Sequence, residues 1–269
     1  MEQVNYNFQD KIVLVTGGTS GIGLATTKLF ARAGAQVVFT GRQEGKVNSA
    51  LALIGETKHK PLFIPTDQGD NNAVVALFNK IRAEFGRLDI AVNNAAQESG
   101  IGKLLHEFNI DEYEVAVGAN LRGVWLCMQQ EIRQMLSQKP VGGAIVNVSS
   151  VNGLGGAPTG SIYSAVKAGV IALAKSAAQE VAGQHIRVNA IAPGAHRTPM
   201  LEKAFDIHSG GDERRLDQVK QMYLAAIPQQ RFGAPDEAAH AIAWLCSDGA
   251  SYVTGHTMII DGGMSSMMR

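Results

Sequence analysis

A tyrosine and a lysine four residues apart, Tyr163 and Lys167, are the residues of this chain best suited to proton chemistry. If the segment from Ser161 is helical, both side chains lie on one helix face. An ammonium group beside a phenol favours the phenolate, so it lowers the tyrosine pKa from about 10 towards neutrality. A tyrosine with such a pKa can exchange a proton with an alcohol oxygen. The pair predicts acid–base chemistry, although the spacing also suits a half-buried tyrosine and a solvated lysine on an ordinary helix surface.

Two serines precede the tyrosine, Ser150 by thirteen residues and Ser149 by fourteen. Both follow residues 144–148, whose sequence AIVNV predicts a buried strand. A hydroxyl close to the tyrosine could hold a substrate oxygen and stabilise its developing charge. Successive residues at a strand end point in opposite directions, so only one of the two serines can face Tyr163.

A glycine-rich loop follows the first apolar run of the chain, residues 12–16. Glycines between a strand and a helix permit a tight turn and let the backbone approach a pyrophosphate, which the helix N-terminus binds with its free N–H groups. No Gly-Lys-Ser/Thr follows, so a P-loop is disfavoured. We expect a dinucleotide here, with a purely structural turn as the alternative. The predicted cofactor-binding residues of the loop are Gly17, Thr19, Ser20, Gly21, Ile22 and Gly23.

The end of the second predicted strand indicates which dinucleotide binds. An NAD-selective site usually has an acidic residue there, which binds the ribose 2′-hydroxyl. This chain has Gly41 followed by Arg42. The glycine leaves space for a 2′-phosphate, and the guanidinium can pair with it. We therefore expect NADP(H) to be favoured over NAD(H), the alternative being that Arg42 only reaches into solvent.

Strands and helices alternate along the chain, and no linker or repeat interrupts them. The predicted strands are residues 12–16, 36–40, 61–65, 88–92, 144–148, 186–191 and 257–260. The predicted helices are residues 24–34, 44–54, 71–85, 111–137, 161–182 and 235–246. This order predicts an α/β fold: a single doubly wound Rossmann domain over residues 1–269, with a seven-stranded parallel sheet flanked by helices. Residues 198–227 form weakly amphipathic helices around Gly210-Gly211, and we expect them to be a mobile substrate flap.

Composition excludes several classes of protein. Lys plus Arg and Asp plus Glu both total 24 in 269 residues, which argues against nucleic acid or a membrane surface as a partner. The two cysteines, Cys127 and Cys246, lack metal-binding or disulfide spacing, and the histidines show no ligand pattern, so we assign no metal. Neither a signal peptide nor a membrane-spanning apolar run is visible, and we expect a cytoplasmic protein.

Together these motifs resemble the short-chain dehydrogenase/reductase family over essentially the whole chain. The matching residues are Thr16-Gly17-x-x-x-Gly21-x-Gly23, Asp67, Asn93-Asn94-Ala95, Asn120, Ser150, Tyr163-x-x-x-Lys167, Pro193-Gly194 and Asp261-Gly262-Gly263. Their joint order and spacing are very specific. Ala96 departs from the pattern, which usually has a glycine there, but this change does not involve the catalytic residues.

The resemblance implies a role for each matching residue. Tyr163 would be the catalytic acid/base, Lys167 would lower its pKa and bind the nicotinamide ribose, and Ser150, at the family's spacing, would hold the substrate oxygen. Asn120 would support a water-linked proton relay to Lys167. The cofactor would also contact Asp67, Gln68, Asn94, Ala95, Pro193, Gly194 and Thr198. Taken singly, Asn120 is equally explained as a buried amide, and Asp67 and Thr198 as residues that begin helices.

The implied activity is reversible hydride transfer between NAD(P)(H) and a secondary alcohol or ketone, a small-molecule substrate. The expected substrate-lining residues are Ser150, Leu154, Gly155, Pro158, Tyr163, His196 and Met200, although His196 is equally suited to a solvated loop. The resemblance also implies a homotetramer formed through helices 111–137 and 161–182.

Two alternatives remain. A 3-oxoacyl thioester reductase acting on an acyl carrier protein or CoA would need a basic docking patch; Arg214, Arg215 and Lys220 lie on the flap, but acidic residues lie among them. A non-catalytic, dinucleotide-sensing protein of the same fold would be expected to lose the tyrosine or the lysine, and this chain keeps both.

Overall fold

Seven parallel strands form the central layer of the computed structural model, which describes residues 6–266. The strands are β1 (Ile12–Thr16), β2 (Gln36–Gly41), β3 (Leu62–Pro65), β4 (Ile90–Asn93), β5 (Gly143–Val148), β6 (Ile186–Pro193) and β7 (Thr257–Ile260). Their order across the sheet is β3-β2-β1-β4-β5-β6-β7. The predicted seven-stranded parallel sheet is confirmed, and its order reverses beside β1, where doubly wound sheets bind their ligands.

Helices cover both faces of this sheet. They are α1 (Gly21–Arg32), α2 (Val47–Ile54), α3 (Asn71–Phe85), α4 (Ile110–Val117), α5 (Gly123–Ser137), α6 (Ser161–Val181), α7 (Pro199–Ser209), α8 (Glu213–Ala225) and α9 (Pro235–Cys246). All five residues of β1 are buried, and they alternate between two cores. Leu14 packs with α3, α5 and α6, whereas Val13 and Val15 pack with α1, α2 and α9. This two-sided burial explains the continuous apolar run.

Two predicted boundaries differ from the structure for local reasons. The fourth strand begins at Ile90 and not at Leu88, because the Gln138 side chain binds both the amide (2.8 Å) and the carbonyl (2.9 Å) of Leu88. The predicted helix over residues 44–54 begins with a 3₁₀ turn at Glu44–Lys46.

The predicted long helix over residues 111–137 contains a break in its regular geometry. Between α4 and α5 lies a π-helical turn, Gly118–Arg122, which contains the buried Asn120. A π turn inserts an extra residue into the helical repeat and is frequent at functional sites. The periodicity of apolar residues did not predict it, because the apolar stripe continues on both sides.

The flap predicted over residues 198–227 consists of two capped helices. Thr198 begins α7 by accepting a hydrogen bond from the Leu201 amide (3.2 Å), and Asp212 begins α8 in the same way from the Arg214 amide (2.9 Å). The predicted break at Gly210-Gly211 is confirmed, with φ values of +66° and +77° that favour glycine. The two helices share a small apolar cluster around Phe205, separate from the cores beside the sheet.

Candidate active site

Two elements bring Ser150, Tyr163 and Lys167 together at the carboxyl end of the sheet. Ser150 follows β5, and Tyr163 and Lys167 lie in the first two turns of α6. The Ser150 side chain lies close enough to the Tyr163 phenol to lower its pKa. The Lys167 ammonium lies 5.7 Å from the centre of the tyrosine ring. The helix spacing therefore places serine, phenol and ammonium in one cluster, as predicted.

The electrostatics of the tyrosine differ from the prediction. Burial raises the pKa of Tyr163 to about 12, the nearby Ser150 hydroxyl partly offsets this, and the Glu98 carboxylate raises the pKa further. Burial also lowers the pKa of Lys167 to about 8. The Lys167 Nζ donates to the Val148 carbonyl oxygen (2.9 Å). In this structure desolvation outweighs any stabilisation of the phenolate by the lysine, so Tyr163 is protonated at neutral pH.

The two serines have separate roles. Ser149 is buried, and its hydroxyl donates to the Lys167 carbonyl oxygen (2.8 Å), which fastens α6 to the end of β5. Ser150 is partly exposed, and its hydroxyl accepts the Asn152 amide (3.2 Å) beside the tyrosine. The geometry therefore selects Ser150 for the site.

Asn120 fixes the loop that forms one wall of the site. Its side-chain oxygen accepts the Gln97 amide (2.8 Å), and its Nδ2 donates to the Gln97 carbonyl (3.0 Å) and the Ser99 hydroxyl (3.3 Å). The π turn directs this side chain inward. Its contacts assign Asn120 a positioning role, and the relay to Lys167 stays a prediction.

The glycine loop forms a cradle in which two positions, Gly17 and Gly23, have no space for a side chain. A Cβ on Gly23 would lie 2.1 Å from the Gly17 carbonyl oxygen, and one on Gly17 (φ +65°) would lie 2.7 Å from the Ala95 Cα. Ser20 is the N-cap of α1 but makes no side-chain capping bond, and no acidic residue lies in the first turn. Thr19 and Gly21 are partly exposed on the same loop, whereas Ile22 packs against the core on the α1 side.

These features fit a dinucleotide. A helix N-terminus without a side-chain cap and without an acidic residue in its first turn suits a pyrophosphate, and the glycines of the loop let it approach the backbone. Opposite the loop, the Thr16 hydroxyl accepts the amides of Asn94 and Ala95 (both 3.0 Å). The Asn94 Nδ2 donates to the Thr16 and Gly17 carbonyls (both 3.1 Å), so in this structure Asn94 holds the glycine loop in shape.

The remaining predicted cofactor residues surround this cradle. The Gln68 side chain donates to the Ala95 (2.7 Å) and Ala119 (2.8 Å) carbonyls, so it joins the wall of the site to the helix turn of Asn120. Asp67 is exposed and accepts the Gly69 amide (2.9 Å). Arg42 is exposed and donates to the Gln97 side chain (3.0 Å). A Cβ placed on Gly41 would lie 3.1 Å from the Thr19 side chain.

The segment after β6 passes over the glycine loop. Pro193 ends the strand, and a Cβ on Gly194 would lie 2.7 Å from Asp261, so this glycine permits the close approach of the C-terminal segment. The Thr198 methyl group lies 3.2 Å from the Cβ position of Gly21. Thr198 is therefore both the N-cap of α7 and a neighbour of the cradle, so the two explanations of this residue are compatible.

The predicted substrate-lining residues separate into two groups. Leu154 is 43% exposed, and Met200 is partly exposed in the first turn of α7. His196 is only 5% exposed; its Nδ1 lies 3.1 Å from the Gly194 carbonyl, and its ring packs against Gly233. This placement corrects the expectation for His196: the ring holds two loops together, and its burial keeps a substrate from reaching it.

Sequence reasoning missed three residues around the site. Gly100 (φ +74°) accepts the Tyr163 amide (3.2 Å), and a Cβ there would lie 2.8 Å from Ile162. Glu98, beside Tyr163, pairs with Lys203 of α7 (2.6 Å). The glycine was visible in the sequence but belongs to no motif, and the pair joins residues more than one hundred positions apart.

A buried polar cluster lies beneath the wall of the site. Glu131 of α5 is fully buried, and its carboxyl group accepts the Asn93 Nδ2 (2.9 Å), which also contacts the Asn147 side-chain oxygen (2.9 Å). Within residues 6–266 the second carboxyl oxygen of Glu131 has no partner. Burial raises the pKa of Glu131 to about 8, so it is largely protonated at neutral pH.

The sheet, the glycine cradle and the Ser–Tyr–Lys cluster define a dinucleotide-dependent oxidoreductase. A family model described as enoyl-(acyl carrier protein) reductase matches residues 17–265. The chain is 38% identical over 261 residues to the 3-oxoacyl-[acyl-carrier-protein] reductase FabG of Thermotoga maritima, covering 95% of this chain and 98% of that protein. It is 40% identical over 263 residues to cis-4-hydroxycyclohexanecarboxylate dehydrogenase of Sinomonas cyclohexanicum, covering 97% and 98%.

A solved structure agrees with these relatives. The crystal structure of levodione reductase superposes with a TM-score of 0.92 at 34% identity, covering 97% of this chain and all of that one. The chain belongs to the short-chain dehydrogenase/reductase family and is an NAD(P)(H)-dependent oxidoreductase. Among residues 6–266, no helix has the length and apolar character to cross a bilayer.

Proposed function

We propose that this protein interconverts a secondary alcohol and a ketone, with Tyr163 as the proton-transfer residue. The observation that supports this most directly is the clustering of the Ser150 hydroxyl, the Tyr163 phenol and the buried ammonium of Lys167, which lies 5.7 Å from the tyrosine ring. A hydroxyl and a phenol this close together can both contact a single substrate oxygen, which is the geometry that carbonyl reduction needs.

Each residue then has a defined task. Ser150 orients the carbonyl oxygen, and Tyr163, protonated at neutral pH because burial raises its pKa to about 12, donates a proton to that oxygen in the reducing direction. Lys167, fixed to the Val148 carbonyl (2.9 Å), keeps a positive charge close to the phenol as it loses its proton. Asn120 maintains the loop beside them. The bound NAD(P)(H) supplies or accepts the hydride.

Residues of the glycine loop, with Asp67, Asn94 and Thr198 around it, would hold the dinucleotide. We propose that NADP(H) is preferred, because Gly41 and Arg42 stand where an acidic residue would select NAD(H). The Arg42 guanidinium is exposed and needs only to exchange its bond with Gln97 for a phosphate.

The preference can be tested with Arg42→Ala. Losing a charged hydrogen bond to a 2′-phosphate should weaken NADP(H) binding by about 10- to 100-fold, with NAD(H) binding nearly unchanged. Fluorescence titration with both reduced cofactors measures this, and each cofactor is the control for the other. An equal loss for both cofactors would remove the assignment of Arg42 to the 2′-phosphate.

The substrate class proposed is an alicyclic ketone or alcohol. The compound named for cis-4-hydroxycyclohexanecarboxylate dehydrogenase is a six-membered-ring alcohol, and that protein aligns with nearly all of this chain. The expected substrate-lining residues Leu154 and Met200 are apolar and at least partly exposed, which suits a compact ring. Closure of α7 and α8 would exclude water from the reaction.

A 3-oxoacyl thioester is the second candidate, favoured by the 38% identity to FabG. Arg214 and Arg215 at the start of α8 are exposed, as docking to an acidic carrier would need, but Asp212 lies 3.7 Å from Arg215 and offsets its charge. The alicyclic class is therefore preferred.

Absorbance at 340 nm with NADPH separates the candidates. Cyclohexanone derivatives and a 3-oxoacyl thioester should be compared at equal concentrations, with Tyr163→Phe as the inactive control. Higher kcat/KM for the ring ketones supports the first proposal, and higher kcat/KM for the thioester replaces it with the second. Tight NADPH binding without turnover of any carbonyl would contradict both.

We also propose a homotetramer formed through α4, α5 and α6. These helices border an apolar groove of about 510 Å³ lined by Val117, Leu121, Arg122, Trp125, Gly169, Ala172, Leu173 and Ser176. Trp125 is 45% exposed at its edge. Exposed aromatic and apolar surface of this kind is common where subunits meet. The cytoplasmic location stays a prediction; both cysteines are free and buried, as a reducing compartment permits.

A further inference from the structure

One ion pair joins the flap to the catalytic wall. The Lys203 Nζ on α7 lies 2.6 Å from a carboxylate oxygen of Glu98, which follows β4. The Glu98 side chain is 19% exposed and that of Lys203 is 58% exposed. Glu98 is close enough to Tyr163 for its charge to raise the pKa of the phenol. The pair therefore lies at the mouth of the site, between the proton-transfer residue and solvent.

The backbone on both sides of Glu98 is firmly anchored. Gln97 is bound through its amide and its carbonyl by Asn120, and the Gly100 carbonyl accepts the Tyr163 amide. The carboxylate is consequently presented from a rigid wall. Its partner, Lys203, lies on α7, whose buried residues belong to the separate cluster around Phe205.

The flap helices pack on each other and on the loops beside them, apart from the two cores that flank the sheet. The buried residues of α7 and α8, Leu201, Phe205 and Val219, form a cluster to which Ala195 after β6 and Phe232 before α9 also contribute. Elsewhere on α7, the Ile207 methyl group lies 2.8 Å from the Cβ position of Gly102, and Thr198 lies beside Gly21. The ion pair therefore links α7 by charge to the loop of residues 97–100, which is hydrogen-bonded to Asn120 and to the Tyr163 amide.

We propose that Glu98 and Lys203 form a clasp that positions α7 over the active site and determines specificity by charge. The inference rests on the proposed alcohol/ketone function. With both partners present, the pair itself carries no net charge, which suits an uncharged ring ketone. Without the lysine, an unpaired carboxylate faces the substrate and repels anionic compounds. Without the glutamate, an unpaired ammonium faces the substrate and attracts a carboxylate.

Substitutions separate the two partners by opposite effects on selectivity. We expect Glu98→Gln to raise kcat/KM for 4-oxocyclohexanecarboxylate relative to cyclohexanone by about 3- to 10-fold, and Lys203→Met to lower that ratio by a similar factor, as for a partly exposed charge pair. Both changes should appear mainly in KM, because the pair contacts the substrate's periphery and not its carbonyl. Lys203→Arg keeps the positive charge and should therefore leave the kcat/KM ratio at its wild-type value.

A second readout does not depend on turnover. Hydrogen exchange followed by mass spectrometry should show faster exchange over residues 199–209 in Lys203→Met and in Glu98→Gln than in the wild type. The matched control is Lys103→Met, which breaks the Lys103–Glu112 pair: this pair has the same 2.6 Å distance and similar exposure, but it joins the wall to α4 and not to the flap. The control should change neither exchange over 199–209 nor the selectivity ratio.

The outcomes separate this inference from the proposed function. Suppose that the wild type turns over cyclohexanone but the kcat/KM ratio is unchanged in both variants, or moves in the same direction in both. That result overturns the clasp and leaves the proposed function intact. Unchanged exchange over residues 199–209 in both variants also overturns it. Absence of wild-type turnover contradicts the proposed function, while the exchange experiment still decides whether the pair holds α7.

Discussion

At the scale of single residues, the chemistry of the site depends on which effect dominates the pKa of Tyr163. A neighbouring ammonium should lower the phenol pKa, yet burial raises it to about 12 in this structure, where Lys167 is itself desolvated and donates to a backbone carbonyl. Desolvation penalises every charged form, so a buried lysine with a lowered pKa stabilises a phenolate less than a fully charged one would. A protonated Tyr163 can donate a proton to a carbonyl oxygen, as the proposed reduction needs.

The role of Tyr163 can be tested with Tyr163→Phe. The substitution removes the proton donor but keeps the ring, so kcat should fall by about 10²- to 10⁴-fold while NADPH affinity changes little. Steady-state kinetics and cofactor titration measure the two effects. Tyr113→Phe, at a 46% exposed position on α4, is the control. Residual activity above about 10% in Tyr163→Phe would contradict the acid/base role.

At the scale of elements, Gly100 determines how closely the wall of the site approaches α6. It adopts φ +74°, and a Cβ would lie 2.8 Å from the Ile162 Cβ and 3.0 Å from the Tyr163 amide nitrogen. A side chain there must move the loop away from the first turn of α6. Tyr163 and Asn120 are both attached to that loop, so the displacement reaches the catalytic residues.

Gly100→Ala should therefore impair both stability and activity. We expect a loss of about 1–3 kcal/mol in the free energy of unfolding, from strain and overpacking, together with a lower kcat. Gly210→Ala is the matched control, because Gly210 also has positive φ (+66°) but nothing lies within 4 Å of its Cβ position. Urea unfolding and kinetics compare the two. Equal stability losses would mean that backbone strain alone, and not the contact with α6, accounts for the effect.

The buried carboxyl group on α5 predicts a pH dependence of stability. The pKa of Glu131 is raised to about 8 in the folded protein, so the folded state keeps a proton that the unfolded chain releases above pH ~4.5. Its contribution is therefore fully present below pH ~4.5 and is lost as pH rises to about 8, with a slope of at most about 1.4 kcal/mol per pH unit.

Glu131→Gln should flatten this dependence, because the amide keeps the hydrogen bond and cannot ionise. We expect the variant to gain on the order of 1–3 kcal/mol relative to wild type between pH 5 and pH ~8. Denaturant titrations at several pH values measure this gain. Glu84→Gln, at an exposed position of α3, should leave the wild-type pH profile unchanged. A profile for Glu131→Gln that stays parallel to wild type would show that the carboxyl group is ionised in the folded state.

At the scale of the whole molecule, the exposed groove beside α5 and α6 is the surface best suited to assembly. Trp125 is 45% exposed at its edge, and its neighbours Leu121 and Leu173 are only partly buried. A charge placed there would be desolvated on association and would oppose it. The proposed tetramer can therefore be separated without touching the catalytic residues.

Trp125→Glu should convert a tetramer into smaller species. Size-exclusion chromatography with light scattering measures the mass of wild type and variant at equal concentration. Leu53→Glu is the control, since Leu53 is 62% exposed on α2, outside the groove, and its substitution should leave the mass unchanged. A monomeric wild type would refute the homotetramer, and an unchanged mass for Trp125→Glu would place the interface elsewhere.

The sequence alone determined the features that depend on local patterns. Apolar runs predicted the strands, since a strand covered on both faces is largely apolar, as in residues 12–15 of β1 and 90–92 of β4. Helical spacing placed Tyr163 beside Lys167, because residues four positions apart share a helix face. Glycine spacing located the cofactor cradle, because the required close approaches exclude side chains at Gly17 and Gly23.

Only the tertiary structure decided the features that depend on distant contacts. The pKa of Tyr163 follows from burial, which no spacing reveals. His196 turned out to be buried against Gly233, and Asn120 lies in a π turn directed at Gln97. The Glu98–Lys203 pair joins residues that meet only because β4 and β6 deliver their loops to the same edge of the sheet. Local sequence encodes helices, strands and turns, whereas desolvation and pairing across the site arise when the sheet brings separate loops together.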